Sequence, residues 1–434
     1  MDRRQFLKMS AATAGLALLG DWEELFARGT QDATVGKPWT GWKKGQFQVH
    51  FIYTGVGESM FYIFPDGTTM LLDCGDHNAI GRGKLAVPTL PGAYRHAGEW
   101  IARYVKRVNP QGYDVDYMML SHYHSDHAGC TSFYADCEKW RGKNYYISGF
   151  TQAAQTLTFR RAIDRCYPGA DDPFPLKNDT DNCITHMRHF YERMKEEHGT
   201  QLETFRLGAT DQVTLLHDAA SYPSFKVRNI CANGRICGED GVVRDLYAEH
   251  IERDHPGWLN ENGMSLGMVF SYGPFRFFTA GDFSDNWELP DGTRFEIEDA
   301  LAEVCGPAHV AKVNHHGHYS MPAKLVATLQ SQVYVSCVWD QLHNVAPVME
   351  RLADRSIYPG DRVILPGIMP VERRAEDAGS AWLNDVHPAT FEGCHNILTV
   401  EPGGKHFSFT CLTANDESMT VRSVIPFTTA SFPR

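Results

Sequence analysis

The first clear strand signal in the chain is Gln46–Ile52. Met60–Phe64, the turn Pro65-Asp66-Gly67 and Thr68–Asp73 follow, and the Asp-Gly pair predicts a hairpin. Residues 94–108 switch to helical spacing, with Ala97, Trp100, Ile101, Tyr104 and Val105 on one face and a basic end of the kind helix C-termini favour. The apolar run Tyr117–Leu120 reads as a buried strand. From about 131 to 258 the pattern loosens. Helical stretches are predicted near 152–167 and 182–197, strands at 211–216 and 225–230, and a Gly- and charge-rich excursion over 233–262. A hairpin then spans Met264–Tyr272 and Phe275–Thr279, turning at Gly273-Pro274. Helix 297–304, strand His309–Val313, further alternation through 332–353 and a β-rich tail from Ile397 to Phe427 complete the chain. No internal repeat is visible. A β-meander, an alternating middle and a β tail predict an α/β fold of two face-to-face sheets with helices outside.

Composition narrows this picture only modestly. The 434 residues are 43% hydrophobic and 12% aromatic, enough for a substantial core, and nothing favours disorder. A net charge of −12 argues against binding long nucleic acids, which requires a basic surface. The eleven cysteines include no Cys-x-x-Cys pair, so neither a disulfide framework nor a zinc ribbon is indicated. At the N-terminus, Arg3-Arg4-Gln5-Phe6-Leu7-Lys8 precedes the charge-free stretch Ala11–Gly20. This resembles a twin-arginine export signal, and the apolar run is short for a membrane span. The expected organisation is an export signal over 1–30, a linker over 31–44 and one domain over 45–430, with an insertion at about 131–258. The expected location is periplasmic or secreted, with no integral span in the mature chain.

The chemistry concentrates at the end of the Tyr117–Leu120 strand. Ser121-His122-Tyr123-His124-Ser125-Asp126-His127 offers four metal-ligand side chains within six residues. On an extended strand His122 and His124 point to one side, and a turn after Ser125 swings Asp126 and His127 toward a second point. Imidazole with carboxylate suits Zn²⁺ or a similar ion. The same grammar of an apolar strand followed by ligands recurs at Phe277–Asp282 and at Ala311-Lys312-Val313-Asn314-His315-His316-Gly317-His318.

The order His-x-His-x-Asp-His resembles the signature of the metallo-β-lactamase superfamily. Gly55–Ser59, Asp73-Cys74-Gly75, Asn262–Ser265, Gly281-Asp282, Lys312–Gly317 and Val400–Gly404 are similar, within it, to the hydrolase domain of the DNA-uptake competence channel and its secreted relatives. The resemblance implies a four-layer αββα sandwich with ligands at one edge. It implies metal ligation by His122, His124, Asp126, His127 and Asp282, with Asp282 bridging two ions. One of His315 and His316 completes the second ion's shell; Gly317, permitting close backbone approach, favours His316. Two zinc ions are expected, with manganese as the alternative. The sequence departs from the superfamily near Asn260–Asn262, where many members carry a third histidine for the first metal. His186, His189, His250 and His255 are the substitutes on offer. Glu58 stands where the branch usually has Asp, and His318 where it usually has Ser.

The implied activity is metal-dependent hydrolysis by a metal-activated hydroxide. Asp126 would orient the nucleophile. Lys312 and His343 would contact substrate or protonate a leaving group, and Asn262 and His318 would bind substrate. A phosphoester, in particular a phosphodiester, on a small-molecule or cell-envelope substrate is the leading expectation. Lactam, lactone or other acyl bonds are the alternative, and a metal-binding protein with a vestigial site is the non-enzyme reading. His124 in place of a glutamate, and the lack of a flavodoxin-sized segment, argue against a di-iron oxidoreductase.

Overall fold

The computed structural model describes residues 34–77, 87–129, 138–140, 144–169, 183–250, 260–288, 292 and 294–432. Residues 1–30, read as an export segment, and His255 lie outside them. Strands β1 (Phe47–Phe51), β2 (Met60–Ile63) and β3 (Thr69–Leu72) form the expected antiparallel meander. Helix α1 (Ala97–Val108) carries the chain over to β4 (Asp114–Met119), which pairs parallel to β3. The short helices α2 (Ser125–Ala128) and α3 (Phe150–Ala153) precede β5 (Thr158–Asp164); α4 (Cys183–His198) precedes β6 (Gln201–Thr204). Both strands extend the sheet in parallel beyond β4.

The second sheet begins with β7 (Phe225–Ala232), β8 (Arg235–Cys237) and β9 (Val243–Asp245). After α5 (Leu246–His250), the hairpin β10 (Gly267–Tyr272) and β11 (Phe275–Thr279) pairs with β7 through β10. A separate hairpin joins β12 (Asn286–Glu288) to β13 (Arg294–Glu296). Helices α6 (Glu298–Val304), α7 (Ala323–Leu329) and α8 (Ala346–Ala353) alternate with β14 (Val310–Lys312), β15 (Val333–Ser336) and β16 (Val363–Pro366), all parallel. Helix α9 (Val371–Glu376) precedes β17 (Cys394–Val400), β18 (His406–Thr413) and β19 (Val421–Thr428), which return to the first sheet beside β1. The strand orders are β19-β18-β17-β1-β2-β3-β4-β5-β6 and β16-β15-β14-β11-β10-β7-β8-β9.

Period-2 alternation gives both sheets two apolar faces. Phe47, Val49, Met60, Tyr62, Phe270, Phe277, Val310 and Val335 meet in the core between the sheets. Phe61, Ile63, Leu71 and Met118 face outward against α1 and α4. Val269, Phe278, Ala311 and Tyr334 face outward on the other side against α6, α7 and α8. The result is the four-layer αββα sandwich the resemblance implied.

Three expectations need correction. The stretch 131–258 is not an appendage: it supplies β5–β9, and β7 lies inside the second sheet between β10 and β8. Within it, the helix expected over 152–167 ends at Ala153, and the seven residues Thr158–Asp164 are strand, because pairing of Phe159, Ala162 and Ile163 with β4 overrides the helical signal. Residues 211–216 form no strand. Their backbone is claimed by side chains instead, Thr214 N–H by the Tyr117 hydroxyl and Leu216 N–H by Thr68 Oγ1. The described part of the 31–44 linker is also tied down, since Gly36 N–H donates to Val421 O and Trp39 N–H to Met419 O, each at 2.9 Å.

Candidate metal centre

The C-terminal ends of β3, β4, β11, β14 and β15, all paired in parallel, deliver their next residues to one edge of the sandwich. Such edges are where open α/β sheets collect ligands. After β4 the chain stays extended through His124 and then winds into α2, so Asp126 and His127 sit on its first turn. The carbonyls of α2 are taken up by neighbouring loops: Asp126 O by Glu58 N–H at 2.8 Å, His127 O by Cys74 N–H at 2.8 Å and Ser125 O by Asp76 N–H at 3.0 Å. Gly75 permits this contact, because a Cβ there would lie 1.7 Å from Asp126 O.

Four side chains converge. His127 Nε2 lies 3.2 Å from His316 Nε2, and each nitrogen is 3.1 Å from Asp282 Oδ2. Asp126 Oδ2 is 3.2 Å from His316 Nε2 and 3.9 Å from His127 Nε2. The other ring nitrogens fix the tautomers. His127 Nδ1 is 2.8 Å from Asp73 Oδ2, and His316 Nδ1 is 2.8 Å from the carbonyl of Cys337. Both partners only accept, so both Nδ1 atoms carry the proton and both Nε2 lone pairs face the centre. His122 and His124 form an adjoining pair, His122 Nε2 lying 3.2 Å from His124 Nδ1. Ser121 Oγ donates to Asp73 and so accepts from His122 Nδ1, which puts the lone pair on His122 Nε2, the nitrogen facing His124 Nδ1.

The remaining residues named from the sequence divide. His315 is turned away: its Nδ1 pairs with Ser284 Oγ at 2.9 Å, and its Nε2 accepts from Asn262 at 3.2 Å. His343 is buried and stacks on His316 at 4.7 Å between ring centroids; His318 lies 6.2 Å from it. Lys312 is buried away from the ligand atoms of the two imidazoles. It is fully enclosed, with Nζ 2.9 Å from Glu58 Oε2, 2.6 Å from Gly281 O and 3.5 Å from Asp282 Oδ1. Of the proposed substitutes for a third histidine, His186 bonds the Asn144 carbonyl, and His189 is exposed on α4.

Several supporting residues were not read as part of the site. Asp73 holds His127 directly and His122 through Ser121; its place at the end of β3, in the Asp73-Cys74-Gly75 motif, was the available signal. Trp339 donates its indole N–H to Asp126 Oδ2 at 3.2 Å. Glu261 accepts from the backbone N–H of Tyr123, between the two histidines, and is itself held by buried Arg165 through contacts of 2.8 and 3.0 Å. No local pattern announces a pair 96 residues apart.

Glu58, His127, Asp282 and His316 present ligand atoms within 4.8 Å of one another. Glu58, however, approaches His316 from the Nδ1 side, 3.4 Å from that nitrogen, and is paired with Lys312. Asp126 faces the Nε2 side and is the better fourth ligand. The charge balance agrees. Asp73, Asp126, Asp282 and Glu58 oppose Lys312 alone, so neutral imidazoles leave three negative charges in a shell nearly closed to water. Burial alone would lower His127 and His316, but Asp282 and the other carboxylates outweigh it and hold both above the ordinary imidazole value, His316 at about 9. Burial would raise Asp126 and Asp282, yet the facing imidazoles hold both well below the usual range. Burial also lifts Glu58, opposed first by Lys312, whose own value is raised by Glu58 against the effect of burial. A centre that draws protons this strongly fits a divalent cation, and the Nε2 and carboxylate donor set suits one.

Residues 53–136, from the end of β1 through the His-x-His-x-Asp-His loop, match the family model described as Metallo-beta-lactamase superfamily. Residues 1–20 match the model for the TAT (twin-arginine translocation) pathway signal sequence. No curated protein matches the chain. The match, the sandwich and the convergent ligands support a metallo-β-lactamase superfamily domain, a superfamily that binds divalent metals. The signal indicates twin-arginine export to the periplasm or beyond, and no helix among the described residues is long and apolar enough to cross a membrane. Together these point to a secreted metal-dependent hydrolase.

Proposed function

We propose that this chain, exported and then acting through one hydrolase domain over about 45–430, cleaves a phosphodiester with the help of two divalent ions, zinc in the first instance. The observation that carries the reading is the convergence of His127 Nε2, His316 Nε2 and Asp282 Oδ2 within 3.2 Å, each imidazole oriented by an acceptor on its far side. Asp126 completes that set, and His122 and His124 offer a second. Bound there, such ions supply Lewis acidity and make water nucleophilic near neutral pH.

Charge favours a phosphodiester over a neutral acyl substrate. One divalent ion leaves the three-negative shell anionic, whereas two leave it with a single positive charge, which attracts a monoanionic diester. In this reading His343, stacked on His316, and His318, 6.2 Å from His343, bind the substrate. Asn262 acts indirectly by holding His315. Lys312, enclosed behind Asp282, balances charge and takes no proton-transfer role.

Metal analysis of the purified protein should find close to two equivalents of zinc or manganese. A chromogenic panel of phosphodiesters, phosphomonoesters, lactams and esters should show diester turnover that Asp126→Ala abolishes in a folded protein. Turnover of lactams alone would overturn the phosphodiester reading, and turnover retained in Asp126→Ala would move the chemistry elsewhere.

A further inference from the structure

The Glu58–Lys312 pair touches the proposed ligands on three sides. Glu58 N–H holds the carbonyl of Asp126 at 2.8 Å, and its Oε2 lies 3.4 Å from His316 Nδ1. Lys312 Nζ donates to Gly281 O at 2.6 Å and lies 3.5 Å from Asp282 Oδ1, an oxygen with no hydrogen-bond partner. Neither side chain is exposed. A buried pair of this kind contributes little net stability, because desolvation offsets its attraction. Its contacts run to Asp282, whose Oδ2 lies 3.1 Å from both imidazole Nε2 atoms, and to His316, whose Nε2 lies 3.1 and 3.2 Å from the two aspartates.

We propose that Glu58 and Lys312 act as one positioning unit that sets how strongly Asp282 and His316 bind the metal. The inference rests on the metal-centre reading above. Glu58 draws the ammonium to 2.9 Å, leaving it at 3.5 Å from Asp282. Asp282 is thereby oriented through Oδ1 while Oδ2 remains free to bind. Without Glu58 the ammonium turns, among the described residues, to Gly281 O and Asp282, and it competes with the metal for that carboxylate. Without Lys312, Glu58 is a buried charge facing His316 Nδ1, and Asp282 loses the ammonium 3.5 Å from its Oδ1.

The test is metal binding, not turnover. Zinc affinity is measured by competition with a chromophoric chelator, and ligand geometry by the visible spectrum of the cobalt-substituted protein, for wild type, Glu58→Gln, Lys312→Met and Glu58→Gln/Lys312→Met. Each variant should bind zinc roughly 10–100-fold more weakly and show an altered cobalt spectrum, the range seen when groups behind metal ligands are lost. The double variant, with no unpaired buried charge, should recover thermal stability but not affinity; this separates positioning from a merely structural role. Wild-type affinity and spectrum in the folded double variant would overturn the proposal. Loss confined to Glu58→Gln, with Lys312→Met unchanged, would overturn it in favour of Glu58 as a ligand. A wild-type protein that binds neither ion would instead overturn the metal-centre reading and the pair's role with it.

Discussion

Asp73→Asn exchanges one oxygen for an NH₂ group at the point where the ligand loop is held. Asp73 Oδ1 accepts Ser121 N–H at 2.7 Å; Oδ2 accepts both Ser121 Oγ–H at 2.7 Å and His127 Nδ1–H at 2.8 Å. An asparagine must set its NH₂ against one of these donors. Set against Ser121 N–H, it leaves a buried backbone donor unpaired, costing about 1–3 kcal/mol. Set against His127, it forces the proton from Nδ1 to Nε2, the nitrogen 3.1 Å from Asp282 and 3.2 Å from His316. A protonated Nε2 has no lone pair to give a metal. The first outcome lowers the stability of the metal-free protein by that amount, and the second costs a 10–100-fold loss of affinity, ~1.4–2.7 kcal/mol. Denaturant unfolding of the metal-free protein gives the first quantity and chelator competition the second. Asp73→Asn protein with wild-type zinc affinity and wild-type stability would refute the tautomer argument. Ser121→Ala, which keeps the backbone N–H bond to Asp73 and removes the hydroxyl bridge to His122 with its 3.3 Å contact to His127 Nδ1, should have the smaller effect.

Arg165→Met strands Glu261 as an unpaired buried charge and should destabilise the protein by about 3–5 kcal/mol in denaturant unfolding, whereas Arg165→Met/Glu261→Met should recover most of that loss; equal midpoints for single variant and wild type would show the pair to be unimportant. Burial pushes the Glu298 carboxyl up to about 8, with Glu296 adding to the rise and the Met321 N–H, Asn314 and Arg351 opposing it. Its folded pKa therefore exceeds the unfolded one, so the folded chain binds more protons in between. Stability is full below about pH 4.5 and is lost as pH rises toward about 8, by at most ~1.4 kcal/mol per pH unit. Glu298→Gln should flatten that slope, and parallel unfolding profiles for variant and wild type would contradict it. Chelation should lower the midpoint of thermal unfolding and added zinc raise it, the stability gained reaching about 2.7 kcal/mol at free zinc a hundredfold above Kd; a midpoint indifferent to zinc would speak against ligation in the folded state.

What could be read from the sequence were the groups whose spacing is local. His122, His124, Asp126 and His127 announce themselves within six residues, and Asp282 and His316 each follow an apolar strand. The hairpins and α1 were equally readable, because alternation and helical spacing decide them without tertiary help. The supporting residues were not. Asp73, Glu58, Trp339 and Arg165 matter through contacts 54, 258, 213 and 96 residues away along the chain, to His127, His316, Asp126 and Glu261. Segment 131–258 misled for a related reason. Strand β7 was legible at 225–230, but β6, β8 and β9 run only three or four residues, and β5 carries Arg160 and Arg161, its identity fixed by pairing with β4 rather than by its own propensity.

The choice between His315 and His316 shows where local reasoning reaches its limit. Both residues adopt left-handed backbone, at φ +47° and +52°, and Tyr319 and Met321 follow at +53° and +57°. Each such residue costs roughly 1–2 kcal/mol, so no local preference would build this loop. It is held from outside. Asn344 N–H bonds His316 O at 3.1 Å and Val345 N–H bonds Gly317 O at 3.0 Å, while Arg351 grips Ser320 O and Met321 O. Gly317 is what lets the Asn344 segment so close, since a Cβ there would lie 2.6 Å from Asn344 Oδ1. The consecutive left-handed turns send His316 inward to Asp282 and His315 sideways to Asn262 and Ser284. A glycine that admits a neighbouring backbone thus separates the two histidines, and the strain it helps to hold is spent at the point where the metal would bind.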